Sequence, residues 1–121
     1  MNSGIKKFQI DSEYFFKEGC FITEVSNSSD DEEVSVARAR VEPGKKTKWH
    51  ALADTAERYV ILEGSGTVEI GDMSPSKVTA GDVVLIPPQM RQRIFNSGEN
   101  DLIFLAICSP RFEQKNYLEV E

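Results

Sequence analysis

The sequence predicts an all-β domain, built as a sandwich or a closed barrel. Three observations predict it: seven or more short runs rich in β-branched, aromatic and aliphatic residues, a glycine or proline turn at the end of nearly every run, and almost no helical period. At 121 residues the chain has the length of one domain spanning 1–121, and neither an internal repeat nor a linker divides it. A domain of this size buries roughly two-thirds of its unfolded surface, enough for a core without staples.

Taken in order, Asp11-Ser12-Glu13 reads as the cap of a short helical turn ahead of Tyr14-Phe15-Phe16. Gly19 breaks that run, and Cys20 to Val25 reads as a strand. Residues 26–33 carry four consecutive acids, Asp30 to Glu33; this is a solvated turn, because a flexible loop lacks the fixed ligand geometry of a calcium site. Residues 34–41 form the next strand. Val34, Val36, Arg38 and Arg40 share one face and Ser35, Ala37, Ala39 and Val41 the other, so the period leaves open which face meets the core. Glu42-Pro43-Gly44 ends it with turn chemistry.

The stretch from Gly44 to Gly64 reads as a loop carrying His50, the only histidine, into a strand that begins at Glu57 and runs through Leu62. Thr67 to Ile70 is a short strand between glycine turns. Met73 to Lys77 is loop, since Pro75 excludes a central strand there. Val83 to Ile86 is an apolar strand stopped by Pro87-Pro88, and Gln92 to Asn96 is another. Leu102 to Cys108 is the most apolar segment and is expected to be buried on both faces. The tail from Phe112 to Glu121 reads as short helix or irregular chain.

Composition excludes several roles. A net charge of −6, with no basic patch and no recognition helix, argues against nucleic-acid binding and against adsorption on an anionic membrane. No apolar run approaches the roughly 18 residues of a membrane span. The N-terminus lacks the uninterrupted apolar core of a signal peptide, which places the chain in the cytoplasm. Cys20 and Cys108 are too few for a disulfide framework and read as reduced, buried thiols.

Two glycine-framed motifs then stand out. Gly44-x5-His50-x-Leu52-x4-Glu57-x6-Gly64 resembles the first motif of the cupin superfamily, with Leu52 where a second histidine is usual. Gly81-x5-Pro87-x-Gln89-x2-Gln92-x3-Asn96 resembles the second, with Gln89 where a glycine and Gln92 where a histidine are usual. The chain is similar to short single-domain cupins, and the resemblance implies an antiparallel jelly-roll β-barrel, in agreement with the strand count. Cupins typically hold one metal through three histidines and a glutamate. The resemblance therefore implies that His50, Glu57 and Gln92 are the surviving positions of a degenerate site for a divalent metal: zinc, manganese, nickel or iron. With one histidine, the two-histidine, one-carboxylate triad of non-haem iron oxygenases is impossible within one chain. The competing reading has Glu57 neutralised by Arg38 or Arg40 and Gln92 bonded to neighbouring strands.

Residues alternating with these positions are expected to share the cavity: Tyr59 and Ile61 beside Glu57, Ile94 beside Gln92, with Trp49 and Leu52 adding apolar wall. Arg38 and Arg40 would let such a pocket meet a small organic anion. The alternative is that Tyr59, Ile61 and Ile94 are core packing and the arginines are solvated. Three functions follow: a metal-dependent enzyme on a small molecule, a metal-free isomerase or epimerase with His50 as base and Glu57 orienting it, and a ligand-binding or sensor module. Val60 and Leu62, apolar on the face opposite Glu57, suggest a homodimer.

Overall fold

The computed structural model describes residues 1–120. A 3-10 turn at Ile10–Ser12 precedes eleven strands: β1 (Tyr14–Phe16), β2 (Cys20–Ser26), β3 (Ser35–Val41), β4 (His50–Leu52), β5 (Ala56–Glu63), β6 (Ser65–Ile70), β7 (Ser76–Thr79), β8 (Val83–Ile86), β9 (Gln92–Phe95), β10 (Leu102–Ser109) and β11 (Tyr117–Glu119). They form two antiparallel sheets, ordered β1-β2-β3-β10-β5-β8 and β11-β4-β9-β6-β7. Chain neighbours repeatedly land in opposite sheets, which gives the double-stranded β-helix of a jelly roll. Among the described residues no helix is long and apolar enough to cross a membrane.

Each inward face divides along its length. At one end Ala39, Val41, Tyr59, Ile61, Leu102, Phe104 and Ile94 are buried and fill the space between the sheets. Tyr59 leans on Phe104 with ring centroids 4.3 Å apart, and burying a ring such as Phe104 stabilises the fold by about 2–3 kcal/mol. At the other end the same strands carry smaller side chains. Cys108 stands opposite both Glu57 and Ser35, and Ala106 opposite both Tyr59 and Ala37. These cannot meet the facing sheet, so a cavity remains where the core stops.

The undecided face of β3 is settled by this register: Ser35, Ala37, Ala39 and Val41 turn inward, and Arg38 and Arg40 turn outward. Between β5 and β6 the chain reverses at Gly64, whose φ is +80°. A Cβ there would lie 2.6 Å from the Asp101 carbonyl oxygen, so both the backbone angle and the space require glycine.

Several elements differ from expectation. Tyr14–Phe16 is a strand because it pairs with β2 across the Gly19 turn. Ser76–Thr79 is a strand although Met73 to Lys77 reads as loop; it is an edge strand on β6, and Pro75 lies just before it, where no ladder bond is needed. His50 lies in β4 and not in a loop. Leu105 and Ile107 on β10 are half-buried, so the outer face of that strand is only partly covered. The tail holds a 3-10 turn at Gln114–Asn116 and then β11, which pairs with β4; Glu121 lies outside the described residues.

Candidate functional site

The cavity lies between β2, β3, β5 and β10 on one side and β4 on the other, with about 50 Å³ of space, room for a few water molecules or the end of a small ligand. His50, Glu57, Leu52, Glu18 and Cys108 line it, Tyr14 and Glu24 stand at its exposed rim, and Phe16 and Phe112 add ring surface.

His50 is 2% exposed. Its Nδ1 lies 2.7 Å from the Lys48 carbonyl oxygen, which can only accept, so Nδ1 carries a proton, and in the neutral ring the lone pair sits on Nε2. The ring is held flat against Tyr117 at 5.4 Å and 14°. Nε2 then faces Glu18 Oε1 at 3.6 Å, beyond hydrogen-bond range.

Glu57 sits on the same cavity and has no cation beside it. Gln92 Nε2 donates to its Oε1 at 2.7 Å, and the Cys108 thiol faces its Oε2 at 3.7 Å. Burial, reinforced by the negative charge of Glu18, raises its pKa from the ordinary 4.5 to about 7, against the opposing pull of His50 and of the Gln92 and Cys108 hydrogen bonds. Glu57 is therefore about half protonated at neutral pH. Burial likewise pushes the Cys108 and Cys20 thiols and the Tyr59 hydroxyl upward, so neither cysteine is a ready thiolate nucleophile.

The structure brings His50, Glu57 and Gln92 together. Gln92 is the cross-strand partner of His50 and bonds Glu57 directly. Its amide is turned away from the cavity, however: Nε2 donates to Glu57, and Oε1 accepts the Tyr59 hydroxyl. Among the described residues no three His, Cys, Asp or Glu side chains converge as a metal-holding group. Gln92 does not line the cavity, where only His50 and Glu57 of the three are present, and two protein ligands do not fit a resident divalent metal.

The remaining expected residues divide. Leu52 lines the cavity. Tyr59, Ile61 and Ile94 point inward, yet they pack the core beyond it. Arg38 and Arg40 do not reach the cavity, because β3 turns them to the outer face. Glu13 takes Arg40 at 2.8 Å and Arg38 at 3.5 Å, and Asp101 takes Arg40 at 3.3 Å. The competing pairing of Glu57 with either arginine is absent for the same reason. Trp49 also faces outward, with Arg91 and Arg93 over its ring at 4.2 and 4.3 Å; its neighbour His50 takes the inward position.

Glu18 is the residue sequence reasoning missed. It comes from the β1–β2 turn, which Gly19 closes at φ +106° and which docks on the loop before β4 through Lys48 N–H to the Glu18 carbonyl at 2.7 Å. Its position two residues before inward-facing Cys20 was the available signal. Glu24, Ser35 and Cys108 on the cavity wall were likewise legible only as inward alternates of their strands.

A β-helical barrel with one end left open over a buried imidazole and carboxyl defines a small-molecule-binding class of fold. Residues 37–108 match the cupin domain model, and the chain belongs to the cupin domain family. It is 32% identical over 105 residues to an uncharacterized protein of Methanocaldococcus jannaschii, covering 85% of this chain and 83% of that one. It is 39% identical over 66 residues to a glucose-6-phosphate isomerase of Pyrococcus furiosus, covering 51% of this chain but only 35% of the isomerase. Among solved structures it is similar to Pac13, a nucleoside dehydratase of Streptomyces, with a TM-score of 0.77 and 20% identity over 95% of this chain and 90% of that one.

Proposed function

We propose that this protein binds a small polar molecule in the cavity and moves a proton on it without a metal, in an isomerisation or an elimination. One observation carries the reading. The Lys48 carbonyl fixes the tautomer of the neutral His50 ring with its lone pair on Nε2 at the cavity, and in the same cavity Glu57, with a pKa of about 7, keeps a substantial protonated fraction at neutrality. A base and an acid whose environments differ in this way suit the abstraction of one proton and the delivery of another. Glu57 does not orient the imidazole, as the sequence suggested; Lys48 and Tyr117 do. Glu18, 3.6 Å from Nε2, stabilises the imidazolium formed when Nε2 takes a proton.

The isomerase relative supports proton transfer as the chemistry, within the 66 residues shared. The divalent metal implied by the motifs would rest on His50, Glu57 and Gln92, and Gln92 does not line the cavity, so no step is assigned to it. The test is deuterium incorporation from D2O into a panel of small hydroxy-aldehydes and hydroxy-ketones, with chelator present. Exchange that persists in chelator and is lost in His50→Asn supports the reading. Exchange that requires added metal, or none with any substrate, refutes it.

The protein is further proposed to be a cytoplasmic homodimer. Both cysteines are free, which suits a reducing compartment. Leu62, Val83 and Leu85 are exposed side by side on β5 and the edge strand β8, an apolar surface of the kind that a second copy covers. Light scattering at twice the mass of 13.6 kDa is the expected result; a monomer refutes it.

A further inference from the structure

Three partly buried carboxylates outside the cavity have cations. Glu13 takes Arg38 and Arg40, Glu69 takes Arg93, and Asp101 shares Arg40. The three that line the cavity do not. Among the described residues, neither Glu18 nor Glu24 nor Glu57 pairs with a lysine or arginine. Lys17, next to Glu18 in sequence, sits instead over the Tyr117 ring at 4.6 Å. Glu18 has the Cys20 thiol at 3.5 Å, and Glu24 accepts the Tyr14 hydroxyl at 3.3 Å.

Glu57 inside, Glu18 half-buried beside it and Glu24 at the rim face one small space whose wall holds no lysine or arginine, an arrangement that an entering cation would relieve. The rest of the wall indicates what kind of cation. The rings of Tyr14, Phe16 and Phe112 line the same cavity, and ring faces attract ammonium groups. His50 Nε2, buried and without a hydrogen bond, can accept one N–H.

We infer that this cavity takes an organic ammonium group, carried by a small amino alcohol, in preference to a carboxylate or phosphate of the same size. The inference rests on the preceding reading of the cavity as the functional site, and it names the ligand class for that site. Glu18 and Glu24 are the carboxylates available to the ammonium, since Glu57 is engaged by Gln92 and Cys108. The cavity volume of about 50 Å³ limits what enters to a few heavy atoms, with any larger remainder of the molecule outside the rim.

The test uses three probes of one size: ethanolamine, ethylene glycol and glycolate, which are cationic, neutral and anionic at pH 7. Each is titrated into the isotope-labelled full chain while the amide resonances of Ala37, Leu52 and Ala106 are followed. Ethanolamine is expected to shift them saturably, at least about tenfold more tightly than ethylene glycol, as one charge-assisted hydrogen bond provides. Glycolate is expected to leave them unmoved. Glu24→Gln, at the exposed rim where folding is undisturbed, should weaken ethanolamine about tenfold. Glycolate binding as tightly as ethanolamine, or no saturable shift by ethanolamine, overturns the inference. So does saturable Mn2+ binding at the cavity that ethanolamine cannot displace. The two readings fail separately. Ethanolamine binding with no proton exchange on any substrate refutes the catalysis and keeps the ligand class. Exchange confined to anionic substrates does the reverse.

Discussion

Glu13 and Glu57 are two glutamates on opposite faces of one sheet, the first just before β1 and the second in β5, and they behave oppositely. Glu13 lies on the outer face of the β2–β3 sheet, clamped by Arg40 and Arg38, and hydrogen bonding to Arg40 holds its carboxyl below the ordinary 4.5. Glu57 lies on the inner face, with an amide and a thiol for company, and burial lifts it to about 7. The outer charge is compensated and serves to pin the N-terminal segment to the barrel. The inner one is not compensated, so its protonation state remains available for chemistry or for a ligand. In this barrel a buried acid without a cation, found among the described residues only at Glu57, marks the site better than the histidine alone does.

Four variants sharpen or break that comparison. The largest effect should come from His50→Asn, which keeps a polar side chain yet removes the base; deuterium exchange into substrate is expected to fall about a thousandfold, and a loss under tenfold would move the chemistry elsewhere. Glu57→Gln should follow. Native Glu57 keeps its proton up to about 7, while the unfolded chain releases it near 4.5. The native state thus binds more protons in that window, and stability falls as pH rises through it, by about 3 kcal/mol in all. Denaturant titrations of Glu57→Gln should lack this fall and show a protein more stable than the parent at pH 8. An unchanged pH profile would mean that Glu57 is compensated after all.

Gln92→Leu is next, because it strands both the Tyr59 hydroxyl and the Glu57 carboxyl in the interior. A loss of about 2 kcal/mol is expected in urea unfolding, and a neutral result would mean that water replaces the amide. Arg40→Ala should have the smallest effect. Its pair with Glu13 is at the surface, so about 1 kcal/mol is expected, with Glu13 returning toward its ordinary range and ethanolamine binding unaltered. Any change in the cavity from Arg40→Ala would join the two regions that the comparison separates.

Much of the barrel was legible in the sequence because its turns are chemical. Gly64, Pro43-Gly44, Gly81-Asp82 and Pro87-Pro88 bound β-branched runs, and those runs became strands. The convergence of His50, Glu57 and Gln92 was legible too, since the glycine framing sets two facing strands in register. Period alone was silent at β3, where alternation offers two half-apolar faces, and only pairing with β10 turns the arginines out. It was silent as well at Tyr59, Ile61 and Ile94, because an inward face does not tell where core ends and cavity begins. That boundary depends on Ala37, Ala106 and Cys108 being small at matching register. Tyr117 was beyond reach, and Glu18 signalled only by its spacing from Cys20, because each comes from a short hairpin or edge strand far in sequence from His50.

The central claim is that the cavity keeps an uncompensated acid beside a free imidazole nitrogen. Side-chain carboxyl carbon shifts, followed through a pH titration of the full chain with chelator present, test it most directly. The account predicts that Glu57 titrates near 7 while Glu13 titrates below 4.5. Glu57 titrating alongside Glu13, in or below the ordinary carboxylate range, would contradict it.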